Sequence, residues 1–129
     1  MVFTDHLWNE ENQLVACTKS GELFTFQLSE LLQSITIPSQ SGSGSIKPAF
    51  TCMANFRGNG LAAGTEDGQV HFFKYDAYHK RFEFIRTWTC IEIKLTKVIS
   101  MCVHEVSKDD LQMAIVAKSQ NIVYLNIQK

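Results

Sequence analysis

Apolar residues recur along this chain mostly at every second position, a period that belongs to β-strands rather than helices. Residues 13–18 and 22–28 are two such runs, separated by Lys19-Ser20-Gly21, which reads as a tight hairpin turn. In the second run Phe24, Phe26 and Leu28 share one face, while Leu23 and Thr25 share the other. A strand apolar on both faces suits a sheet covered on both sides. The same unit returns at residues 61–65 and 69–75 around Glu66-Asp67-Gly68, where the Asp-Gly pair is the stronger hairpin signal. It returns a third time at residues 111–117 and 122–127, around residues 118–121.

A further strand-like segment precedes each hairpin, at residues 3–8, 50–56 and 98–106. Two more follow the first two hairpins, at residues 32–37 and 81–91. This order predicts four-stranded units of roughly 43 residues, the length of a propeller blade. Their expected bounds are residues 1–47, 48–96 and 97–129, and the third unit stops after its third strand, giving eleven strands. Residues 28–34 compete as a short helix with Ser29 as cap. The β-branched Ile35-Thr36-Ile37 follow at once, so the segment reads as a loop or single turn entering the strand. Residues 39–45, all Ser, Gln and Gly, read as a flexible polar loop between units.

Composition narrows the functional classes. The 129 residues suffice for one domain, and 45% apolar against 19% charged residues supports a packed core rather than disorder. Twelve Lys and Arg nearly cancel thirteen Asp and Glu, so the basic excess of a nucleic-acid binder or a membrane adhesin is missing. Neither a signal peptide nor an apolar run long enough for a membrane span is visible. Cys17, Cys52, Cys90 and Cys102 lie far apart in apolar segments and read as reduced, buried thiols of a cytosolic protein. Cys102 and His104 form the nearest metal-like pair, two ligands short of a site, so no metal or other cofactor is expected.

Catalytic patterns are equally sparse. Gly42-Ser43-Gly44 lacks the frame of a nucleophile elbow, and Gly58-Asn59-Gly60 lacks the Lys-Ser/Thr of a phosphate loop. Asp5, Glu66, Asp67, Asp109 and Asp110 sit in turns or at strand ends, where acids favour local backbone bonds. His6, His71 and His104 read as packed or edge residues, and Trp8 and Trp88 as core or inter-blade residues. Lys80, Arg81, Arg86, Lys94 and Lys97 form one basic stretch alternating with Phe82, Phe84 and Trp88. Stacking on single-stranded nucleic acid is one reading of that alternation. An outer strand with charges toward water and aromatics toward the next blade is preferred, because net charge supplies no field. Arg81 and Arg86 are then the candidate protein-binding residues, for an acidic surface such as that of tubulin.

Thr4-Asp5-His6-Leu7-Trp8 followed by residues 14–24 resembles a unit of the WD-repeat family, as do residues 50–56 followed by 61–70. Setting Gly21 against Gly68 aligns Leu23 with Val70, Phe26 with Phe73 and Leu28 with Tyr75; Ile122 and Leu125 then match Val70 and Phe73. The resemblance implies an all-β partial β-propeller of three consecutive WD-like blades, the last incomplete. No Gly-His opens a unit, and Phe26, Phe73 and Leu125 stand where the family has tryptophan. Gln120 replaces the turn glycine of the third unit, leaving Asn121 to take the left-handed conformation.

The Asp-His-x-Trp segment before a Gly-x-Leu hairpin is most similar to the large WD-repeat proteins of cilia and flagella. That likeness implies a non-enzymatic scaffold of the axoneme, in the cytoplasm or cilium, with protein partners only. The alternative it leaves is an adaptor or substrate-recruiting subunit of a cytosolic or nuclear complex. Three blades cannot close a ring of the usual four to eight. Bare end faces are therefore expected at Phe24, Phe26, Phe72, Phe73, Tyr124 and Leu125, to be covered by remaining blades or partner chains. The chain by itself is expected not to fold as a dilute monomer.

Overall fold

Alternation of apolar residues, interrupted by tight turns, gives three separate antiparallel sheets in a computed structural model of the chain. The structure describes residues 2–36, 49–56, 60–89, 97–105, 110–118 and 122–128. The loop at 39–45, Gly58, Cys90, Lys94, Asp109, Gln120 and Asn121 lie outside these residues. The first sheet holds β1 (Phe3–Trp8), β2 (Leu14–Thr18), β3 (Glu22–Gln27) and β4 (Glu30–Thr36), paired in chain order. The middle sheet repeats this with β5 (Phe50–Phe56), β6 (Gly60–Thr65), β7 (Gln69–Asp76) and β8 (Arg81–Thr89). The third holds β9 (Val98–Glu105), β10 (Asp110–Ala117) and β11 (Ile122–Gln128), three strands among the described residues.

The repeat is detailed at backbone level. Each leading strand carries one bulged residue, Thr4, Thr51 or Ile99, at the same place in its pairing with the second strand. Each also receives one hydrogen bond just before it: Lys19 donates to the Val2 carbonyl, Glu66 to Ala49 and Lys118 to Lys97. Gly21 and Gly68 close the first two hairpins at φ of 79° and 86°, where an L side chain would be strained. Thr18 and Thr65 hold these turns, each hydroxyl accepting the amide that reopens the strand, from Glu22 and Gln69. Registers confirm the sequence alignment: Val70 and Ile122 pair with Gly64 and Val116, Phe73 and Leu125 with Leu61 and Met113.

The sheets stack in sequence, with β1, β5 and β9 as adjacent leading strands. Between the first and middle sheets lie Val15, Cys17, Leu23, Phe50, Met53, Leu61, Ala63, Phe73 and Phe82. A second cluster, with Val70, Phe72, Val98, Met113 and Ile115, joins the middle sheet to the third. Burying each large side chain here contributes roughly 1.5–3 kcal/mol, which is what holds the sheets face to face. Gly64 marks the tightest approach of the second junction. A Cβ there would lie 2.8 Å from Val98 Cγ1 and 3.0 Å from Cys52 Sγ.

Polar contacts fix the stacking register. Thr4 donates to the Phe50 carbonyl at 2.8 Å, and its repeat-mate Thr51 donates to the Val98 carbonyl. Asp5 Oδ2 accepts the Met53 amide at 2.8 Å. On the outer side, Gln33 of β4 clasps one residue of β8, donating to the Phe82 carbonyl (2.9 Å) and accepting its amide (2.8 Å).

Several expectations change. The turn expected over residues 28–34 is confined to Leu28 and Ser29, at φ of 51° and 70°, which make a two-residue hairpin turn, and β4 begins at Glu30 rather than at residue 32. Leu28 therefore leaves the face of Phe24 and Phe26 and stands exposed. Phe72 and Phe73 are not bare, since their sheet lies in the middle of the stack with a neighbour on each side. Leu125 packs toward the middle sheet rather than outward. Trp8 is no core residue. It points to the first sheet's uncovered face and is 63% exposed.

Candidate docking surface

Arg81 opens β8 immediately after the turn at residues 77–80, and Arg86 lies further along the same strand. Their partners across the sheet are Asp76 and Phe72. A bulge at Ile85 resets the two-residue period, so both arginines and Glu83 fall on the face that carries Phe72 and Trp88 toward the third sheet. The Arg86 guanidinium sits 5.3 Å from the Phe72 ring centroid, a cation–π contact that leaves the residue exposed. Glu83 is tied to Lys74 at 3.5 Å. The strip is thus a row of charges along the outer margin of the middle sheet.

The aromatics of this stretch are not available for stacking on bases. Phe82 is buried against the first sheet, with its ring 5.1 Å from Tyr75, and Phe84 packs 5.8 Å from Phe73. Trp88 joins the cluster facing the third sheet. Phe82 and Phe84 thus face the first sheet, while Arg81 and Arg86 stay exposed on the face they share with Trp88.

Sequence reasoning passed over the turn beside Arg81. Asp76 Oδ1 accepts the amides of Tyr78 (3.0 Å) and His79 (3.3 Å), while its Oδ2 meets His79 Nδ1 at 2.6 Å. These bonds from His79 hold the Asp76 carboxyl below its ordinary range. Tyr78 stacks edge-on against His79 and is 89% exposed, so a preorganised turn presents an aromatic ring next to Lys80 and Arg81. The Asp-x-Tyr-His order was the available signal, because aspartate two residues before an amide readily forms such a turn.

The first sheet's uncovered face is a second surface. Trp8, Leu14, Ala16, Phe26 and Leu28 line a groove of about 850 Å³ there, with His6 and Asn12 at its side. The other candidates stay apart. His6 lies on β1 and His104 on β9, both strand residues as expected, and His71 is buried at the first junction with Nδ1 2.7 Å from the Thr87 hydroxyl. Asp5 serves the Met53 amide, and Asp67 pairs with Thr65 within its turn. Burial raises the thiol pKa of Cys17 to about 11 and raises that of Cys52, while Cys102 is exposed on β9. Among the described residues, no three Cys, His, Asp or Glu side chains converge as a metal site.

Comparison with solved structures decides the fold. The chain superposes on the Dos1 propeller over 98% of its own length with a TM-score of 0.71 and 11% identity. Its fold is that of a partial β-propeller. Similarity to the Cps50 (Swd1) β-propeller domain of Myceliophteria thermophila also covers 98% of this chain, with a TM-score of 0.59 and 12% identity. This chain spans 33% of the first of those chains and 43% of the second, so the three sheets are three consecutive blades of an incomplete propeller. No protein-family model and no curated protein matches the sequence.

Proposed function

We propose that this chain is a non-enzymatic protein-interaction scaffold that docks an acidic protein surface on the outer margin of its middle blade. The observation that carries this reading is the exposed Arg81–Arg86 row beside the braced Tyr78 turn. An exposed aromatic ring flanked by cations is the composition of an interface anchor. Asp76 braces the turn through its bonds to Tyr78 and His79, so little ordering of that turn is required on binding.

The Asp5-His6-x-Trp8 resemblance extends the proposal to an axonemal scaffold of cilia or flagella, with tubulin as the acidic partner. An adaptor or substrate-recruiting subunit of a cytosolic or nuclear complex would use the same surface and differ only in partner. Co-purification separates the two, yielding tubulin and axonemal proteins in one case and ligase subunits in the other. For the surface itself, the test is the double variant Arg81→Glu, Arg86→Glu in a microtubule co-sedimentation assay at two salt concentrations. Loss of a salt-sensitive association supports the docking row. Equal sedimentation of variant and parent refutes it.

A further inference from the structure

Gln33 does at the outer edge of the middle sheet what an added strand would do. Its side-chain amide donates to the Phe82 carbonyl at 2.9 Å and accepts the Phe82 amide at 2.8 Å, the two-bond pattern of an antiparallel pair. The N–H and C=O of Phe82 therefore point away from β7, toward the side of β8 where no strand pairs among the described residues. Hydrogen-bonding direction alternates along a strand, so Phe84, two residues on, turns its own N–H and C=O the same way. Such an edge is a template for another strand.

We propose that this edge takes an acidic extended peptide, added as a strand alongside β8 from Phe84 onward. The inference rests on the docking row and names the form of its partner. In strand addition, main-chain bonds supply affinity and alternate side chains supply choice. Here the choice is made by charge. Arg81 and Arg86 share one face of β8, and the acids beside them are already engaged, Glu83 by Lys74 at 3.5 Å and Asp76 by His79. A second β8 brought to this edge would set arginine near arginine, and like charges across a strand pair are destabilising. A strand with carboxylates at alternate positions places them on the arginine face instead. Ile85, the bulged residue between Phe84 and Arg86, is 51% exposed and offers the same strand an apolar contact. Gln33 marks where that strand ends.

Fluorescence anisotropy on the full chain is the test, with a labelled peptide of alternating glutamate and valine, about six residues long as strands usually are. The peptide is expected to bind the parent chain and to lose binding to Arg81→Glu, Arg86→Glu. Two further peptides, N-methylated on the glutamate amides or on the valine amides, leave the protein unaltered. With glutamates on the arginine face, one strand direction turns only one of these sets of amides toward β8. One version is therefore expected to lose binding and the other to keep it, and the Phe84 amide is expected to shift in NMR spectra when the parent peptide binds. No binding of the parent peptide, equal binding of a lysine–valine peptide, an unmoved Phe84 amide, or two methylated versions that behave alike overturns strand addition. If both methylated versions bind and the double variant still loses them, strand addition fails while the docking row stands. If the double variant binds every peptide as the parent chain does, the docking row fails as well.

Discussion

Acidification should weaken the junction between the first two blades through His71. The side chain is 3% exposed on β7, with the Phe50 and Phe84 rings at 6.0 and 6.1 Å, and burial lowers its pKa from 6.5 to about 4. The folded chain therefore keeps a neutral imidazole at a pH where the unfolded chain has already taken up a proton. Stability is complete above the unfolded value, declines as pH falls from 6.5 toward 4, and levels off below. One proton corresponds to about 1.4 kcal/mol per pH unit, so the full loss is about 3 kcal/mol and that between pH 7.5 and pH 5 about 2 kcal/mol. Against a total of roughly 5–15 kcal/mol this is a large fraction. Asp76 does not interfere, because its carboxyl is held below 3.8 and titrates under that window. The assay is urea unfolding at pH 7.5 and pH 5, at one fixed chain concentration, on the parent and on His71→Gln. The variant is expected to be less stable at pH 7.5 but to lose about 2 kcal/mol less on acidification. Equal losses in the two proteins would refute the role given to His71.

Three further outcomes follow from the repeat. Phe73→Ala should cost about 3–5 kcal/mol in urea unfolding, whereas Phe26→Ala, at the equivalent place on the uncovered face, should cost about 1 kcal/mol or less at the same chain concentration. Gly64→Ala forces a Cβ against Val98 and should destabilise by about 1–3 kcal/mol, with Val98→Ala in the same chain returning part of that loss. Asp5→Ala leaves the Met53 amide without its acceptor and should cost about 1–3 kcal/mol, while Asp5→Asn, which retains an acceptor oxygen, should cost less; both are read from thermal or urea midpoints.

Much of the architecture was legible because it is local. Period-two alternation and the Gly21 and Gly68 turns identify the hairpins, and aligning the two glycines reproduces their equivalent registers. What stayed hidden is whether a face has a neighbour. Alternation places Phe24 with Phe26 and Phe72 with Lys74, yet it carries no information on which sheet stands in the middle of the stack. For that reason Phe73 is covered where a bare face was expected, and Trp8 stands on an uncovered blade face rather than in the core. Bulges were the second obstacle. At Ile85 the added residue brings Arg81 and Arg86, five apart, onto one face that simple alternation assigns to opposite sides. Leu28 misled in a third way, since a leucine at φ of 51° breaks the turn preference for glycine or asparagine.

A methyl and aromatic NOE experiment on the folded chain tests the radial stacking most directly. Contacts are expected from Val15 and Leu23 to Leu61 and Phe73, and from Ala62 and Val70 to Met113 and Ile115. Contacts from Val15 or Leu23 to Met113 or Ile115 would place the first and third sheets face to face, as in a sandwich or a single barrel, and would contradict three consecutive blades.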